Sequence, residues 1–193
     1  MRSGWRFMST PGSRGDGPPP GGGGGPVFEY RITRYDPARR DARGACTREE
    51  WTSFGDIGRA IGGAVLTPAE YRRVEDAHVS AALAFLREAG VEALTVEGLE
   101  ARGGLPPVAE GSVLGLPDAA EVIRRVLREE FWCRLEGPAA FVHFGYDYYL
   151  YVGVPRACPE AEHATHRAGL FVESFRSPYR RPAGAEAADA AGR

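Results

Sequence analysis

The sequence predicts an α+β domain, a mostly antiparallel sheet with two long helices packed on one face. Two observations carry this. Segments 67–90 and 117–130 place apolar residues at helical spacing between clear start and stop signals. Residues 131–154 break into short aromatic and β-branched runs joined by tight-turn sequences, the pattern of a hairpin meander. Helices mixed with such a meander, and no internal repeat, define the class.

In chain order, residues 1–26 come first. They hold Pro18-Pro19-Pro20 and Gly21 to Gly25, with almost nothing to bury, and read as disordered. Val27 to Tyr35 alternates as a strand does, and Asp36-Pro37 ends it. Ser53, with Asp56 three residues on, has the form of a capping box opening a short helix that Gly62-Gly63 stops. Thr67-Pro68-Ala69-Glu70 opens the first long helix: a capping hydroxyl, a proline at the first position and a carboxylate that can reach back. Tyr71, Val74, Ala81, Phe85 and Ala89 form its apolar stripe, and Gly90 is its stop.

Val91 to Leu99 reads as a strand and 101–116 as a Gly- and Pro-rich loop. Pro117 opens the second long helix, to about Glu130, with Ala119, Val122, Ile123, Val126 and Leu127 as its stripe. Strands follow at 131–136, 140–144 and 148–154, then a short helix from Pro159 to about Ala168, and a last strand at 170–175. From Ser177 the chain reads as a disordered tail, leaving 27–176 as one domain.

The composition excludes several functions. The chain contains no Lys, Asn or Gln, so its 24 basic residues are all Arg. With the abundant Gly, Ala and Pro, this looks like the codon bias of a GC-rich genome. It rules out a Schiff-base lysine, a Walker-type lysine and an N-glycosylation acceptor. The formal net charge is −2; arginine excess at the two ends leaves −5 for residues 27–176. An acidic core argues against nucleic-acid binding and suits a basic protein partner. Cys46, Cys133 and Cys158 are widely spaced, without a CxxC, as reduced thiols of a cytoplasmic protein would be. The start has no apolar signal region, and no run approaches the ~20 apolar residues that span a membrane.

The segment Phe141 to Val154 is dense in Phe and Tyr rings and carries His143 and Asp147. With Gly145-Tyr146-Asp147 as a three-residue loop, Phe144 faces Tyr148 and His143 faces Tyr149. With Gly137-Pro138 as a two-residue turn, Trp132 lies beside His143. Alternation then sorts the meander into two faces. One holds Phe131, Cys133, Leu135, Val142, Phe144, Tyr148, Leu150 and Val152, and belongs in the core. The other holds Trp132, Arg134, Glu136, Phe141, His143, Tyr149 and Tyr151, aromatic with polar tips. Either a loop or the tail covers that second face, or it is a recognition surface, since Trp, Tyr and Arg dominate binding hot spots. Trp132, Arg134, Phe141, His143, Tyr149 and Tyr151 are the candidate binding residues.

Other chemistry is weaker. His143 with Asp147 could form a base–orienter pair for a small hydrolase or transferase, though no Ser or Cys nucleophile falls beside them. His163 and His166 are spaced i, i+3 but lack the Glu of HExxH, and no metal or other cofactor is expected. Gly145 to Tyr151 partly matches the RNP1 pattern, yet Phe144 and Asp147 replace its basic and small residues.

The motifs Trp51-Thr-Ser-Phe-Gly-Asp-Ile-Gly58, Leu127-Arg-Glu-Glu-Phe-Trp-Cys133 and His143-Phe-Gly-Tyr-Asp-Tyr-Tyr149 resemble small uncharacterised bacterial α+β proteins, some of them immunity partners of secreted toxins. The resemblance covers residues 27 to 179 in general style. It implies a cytoplasmic, non-enzymatic protein-binding module and supplies no catalytic residues.

Overall fold

The computed structural model describes residues 28–42, 44, 46–101 and 105–180. Residues 1–26 and 181–193, both read above as disordered, lie outside them. The elements are β1 (Phe28–Thr33), β2 (Ala60–Ile61), β3 (Ala64–Val65), α1 (Pro68–Ala89), β4 (Ala93–Ala101), β5 (Val113–Gly115), α2 (Leu116–Leu127), β6 (Phe131–Glu136), β7 (Phe141–Phe144), β8 (Leu150–Val154), α3 (Pro159–Arg167) and β9 (Phe171–Ser174). Seven strands form one antiparallel sheet in the order β5-β4-β6-β7-β8-β1-β9. The chain is therefore α+β, with β2–β3 as a separate small hairpin.

Helix α1 obeys its sequence signals closely. The Thr67 hydroxyl accepts the Glu70 N–H at 3.1 Å, Pro68 begins the helix, and Gly90 closes it at φ 76. Glycine suits that position because other residues resist a left-handed backbone. The capping carboxylate of Asp56 is also in place, accepting from Thr52 N at 2.9 Å and Ser53 N at 3.2 Å. Helix α2 ends at Leu127, short of the expected Glu130, and Glu129 turns the chain at φ 61.

The stripes of α1 and α2 share one core cluster with Cys133, Leu135, Val142, Leu150 and Val152 of the sheet. Polar links cross this helix pair: the Tyr71 hydroxyl donates to the Leu127 carbonyl at 3.1 Å, and a buried carboxylate meets two arginines. Glu75 of α1 is fully buried and accepts from Arg124 at 2.8 Å and from two nitrogens of Arg128 at 2.7 Å. Burial pushes its pKa up, but the hydrogen bonds from Arg128 and Arg124 outweigh that and leave it lowered.

Both hairpins of the meander are longer than expected. Phe144 pairs with Leu150, and His143 with Tyr151 rather than Tyr149. Leu135 pairs with Val142 and Glu136 with Phe141, a register that does not set Trp132 beside His143. Each register slips by two residues, so the parity of every side chain is kept and the two faces survive. The cause is local: the β7–β8 loop contains Asp147 and Tyr148 in left-handed conformation and closes through Gly145 N to Tyr149 O at 2.8 Å. Tyr148 thus sits in the loop, yet its ring still enters the core against Trp51, Tyr71 and His78.

Strand β5 lies in the stretch expected to be loop; its three residues are too few to show alternation. Strand β4 is bulged between Glu97 and Glu100, where Gly98 has φ 63. The Glu110 carboxylate accepts the Gly98 and Leu99 N–H groups at 2.9 and 2.7 Å. Glu88, from α1, caps α3 by accepting from Ala161 N at 2.7 Å.

Candidate functional site: an aromatic sheet face under a strap

Alternation places Trp132, Arg134 and Glu136 of β6, Phe141 and His143 of β7, and Tyr151 and Gly153 of β8 on one face. Glu29 and Arg31 of β1 continue it, opposite Gly153 and Tyr151. Gly153 is there for space. A Cβ would stand 2.3 Å from Phe141 Cε1, so only glycine lets that ring lie across β8. Phe141 in turn stacks on His143, with centroids 4.0 Å apart and planes 8° apart.

This face is covered. After β9 the chain turns back as a strap, residues 175–180, although everything from Ser177 was expected to be tail. Ser177 is buried, and its N–H donates to Glu29 Oε2 at 2.9 Å. The Tyr179 ring lies 5.8 Å from Trp132, 6.3 Å from His143 and 6.0 Å from Tyr151. Arg134 donates to the Tyr179 carbonyl at 3.3 Å, and Arg180 donates to Glu29 at 2.6 Å. Phe175 packs on Tyr151, with the Arg31 guanidinium 4.0 Å from its ring centroid.

His143 is the centre of the contact and is 1% exposed. Its Nε2 is 2.8 Å from Glu136 Oε1 and its Nδ1 is 2.8 Å from Ser177 Oγ. A carboxylate only accepts, so Nε2 carries the proton toward Glu136. Ser177 Oγ accepts the Tyr179 N–H at 3.2 Å and has its own hydrogen left for Nδ1. The imidazole is therefore hydrogen-bonded at both nitrogens. Nucleophile, base and orienter stand in catalytic order, but with no approach for a substrate. Ser177 is 3% exposed, and its neighbours Arg176 and Pro178 are the ones that face solvent. The chain holds its strap with this hydrogen-bonded relay.

The six candidate residues divide. Trp132, Arg134, Phe141, His143 and Tyr151 form one patch under the strap. Tyr149 does not join them: it lies in the β7–β8 loop, its ring 5.7 Å from Tyr35 and 5.1 Å from the Arg31 guanidinium. Phe141, His143 and Tyr151 are buried, whereas Trp132, Arg134 and Tyr149 are half-buried. Asp147 is exposed in the same loop and is not the partner of His143; Glu136 takes that place.

Sequence reasoning missed Ser177, Tyr179, Arg180 and Glu29. A signal existed: Phe175-Arg-Ser-Pro-Tyr-Arg180 carries two aromatic rings, unlike the Ala- and Gly-rich residues after it.

Elsewhere, a cleft of about 490 Å³ is lined by Arg34, Arg48, Trp51, Ile61, Leu66 and Glu70 among others, and by none of the six candidates. His166 Nδ1 is 3.2 Å from the Leu170 carbonyl. Among the described residues no group of three or more His, Cys, Asp or Glu is placed to hold a metal ion, and no helix is long and apolar enough to cross a membrane. Burial pushes the Cys133 thiol up to about 12 and the Cys158 thiol up to about 11, which removes them as nucleophiles near neutral pH. Comparison with protein-family models, curated proteins and solved structures yields no match for this chain.

Proposed function

We propose that this chain is a non-enzymatic, cytoplasmic protein-binding module of bacterial type, which docks a basic protein on its aromatic sheet face as an immunity partner docks a toxin. One observation carries the reading: the face already grips a peptide. It holds a segment that turns at Ser177–Arg180, by an aromatic ring among aromatic rings, by an arginine on a carboxylate, and by side-chain bonds to the segment's backbone. These are the contact types that dominate protein interfaces. The −5 charge of residues 27–176 supports a basic partner. The alternative, a small hydrolase or transferase using His143 and Asp147, draws little support, because His143 is covered and Asp147 does not reach it.

The test is affinity capture from the native cell with tagged wild type and with Trp132→Ala/Arg134→Ala, two half-buried residues of the face. A basic protein that copurifies with wild type is expected to be lost from the double variant. An unchanged set of partners would refute the reading.

A further inference from the structure

We infer that the strap, residues 175–180, is a built-in competitor occupying the docking face, and that the partner binds by presenting a turn-forming segment with an aromatic residue directly followed by arginine. The inference rests on the module reading above and specifies its ligand. The strap displays what the face selects. Tyr179 enters a site walled by Trp132, His143 and Tyr151. The next residue, Arg180, meets Glu29, a carboxylate only 14% exposed in its side chain. Around these anchors the face also holds backbone: Arg134 donates to the Tyr179 carbonyl and Glu29 accepts the Ser177 N–H, while His143 bonds the Ser177 hydroxyl.

The strap is also built to be displaced. It holds by side-chain contacts and adds no strand to the sheet; its one ladder-like bond is Phe175 N to Glu29 O at 3.0 Å, at the strand end. Past Phe175, two of its residues, Arg176 and Pro178, are turned to solvent. A tethered segment acts at millimolar-range effective concentration, so it lowers the apparent affinity of an outside segment by the fraction of time that it occupies the face. Weakening the strap must therefore strengthen binding in trans.

The probe is a fluorescent, end-blocked hexapeptide Phe-Arg-Ser-Pro-Tyr-Arg, titrated by anisotropy into the full chain. Tyr179→Ala/Arg180→Ala empties the two anchor positions and leaves the face intact. It is expected to bind the peptide at least about 10-fold more tightly than wild type does. Adding Trp132→Ala, or replacing the tyrosine of the peptide with alanine, is expected to lower binding at least about 10-fold. Equal binding to wild type and the strap variant, or no binding to either, overturns the inference. So does a peptide that binds equally well without its tyrosine. Should the double variant fail to fold, Tyr179→Ala alone carries the same comparison. If the peptide fails while native capture still depends on Trp132 and Arg134, the strap inference falls and the module reading stands; if both fail, both fall.

Discussion

Gly153 and Phe141 show how one missing side chain sets up the face. They are directly paired across β7 and β8, and the Phe141 ring fills the volume that a Cβ at 153 would need. Gly153→Ala must move the ring, and with it the stacked His143 that bonds the strap. Overpacking of this kind costs about 1–3 kcal/mol. Urea unfolding of Gly153→Ala is expected to show a loss in that range; a midpoint equal to that of wild type would mean that the ring is free to shift. The cysteines make a second residue-level prediction. Cys133 and Cys158 are buried with raised thiol pKa values, whereas Cys46 is partly exposed. Native protein should therefore give one fast-reacting thiol with a disulfide reagent at pH 8, and three after unfolding. Three fast thiols in the native state would contradict the burial of the other two.

At the scale of elements, the α1–α2 contact depends on a buried charge. Glu75 has no solvent contact, and Arg124 and Arg128 are its compensation. Removing one partner of such a group leaves the other charge uncompensated, which typically costs about 3–5 kcal/mol. Here the two arginines are partly exposed, so Glu75→Ala should fall at the low end, near 3 kcal/mol, measured by thermal or urea unfolding. A loss below about 1 kcal/mol would show that solvent already screens the pair. Elements were legible where local chemistry decides them. Thr67, Pro68 and Gly90 mark α1, and alternation marks β6 and the faces of the meander. Registers were not, because the left-handed pair Asp147-Tyr148 lengthens a hairpin without a glycine to announce it. The face residues Trp132, Arg134, Phe141, His143 and Tyr151 were legible from parity alone. Their cover was not, since the strap reaches them from far along the chain: His143 and Ser177 are separated by 34 positions, and Glu29 and Arg180 by 151. No periodic pattern encodes that kind of contact.

For the whole molecule, stability against acid is governed first by a histidine outside the docking face. His78 is fully buried on α1, beside Tyr148; its Nδ1 is 2.9 Å from the Val74 carbonyl, and its Nε2 has no hydrogen-bond partner among the described residues. Burial, with a smaller contribution from the Arg34 charge, pushes its pKa from 6.5 down to about 4. Between those values the unfolded chain binds a proton that the folded chain refuses, so stability rises with pH across that window. The contribution is complete above about pH 6.5 and is lost progressively as pH falls toward 4. At pH 5 the loss is roughly 2 kcal/mol, from about one and a half pKa units at 1.36 kcal/mol each. Glu75 and Glu173 have lowered pKa values, so their contributions are lost only below the ordinary carboxylate range and are silent at pH 5. His78→Leu keeps an apolar group in the site and removes the titration. Urea unfolding at pH 7 and at pH 5 should then show wild type losing roughly 2 kcal/mol more than His78→Leu. Parallel losses in the two proteins would mean that His78 accepts its proton without unfolding, and that another group controls the acid limit of the fold.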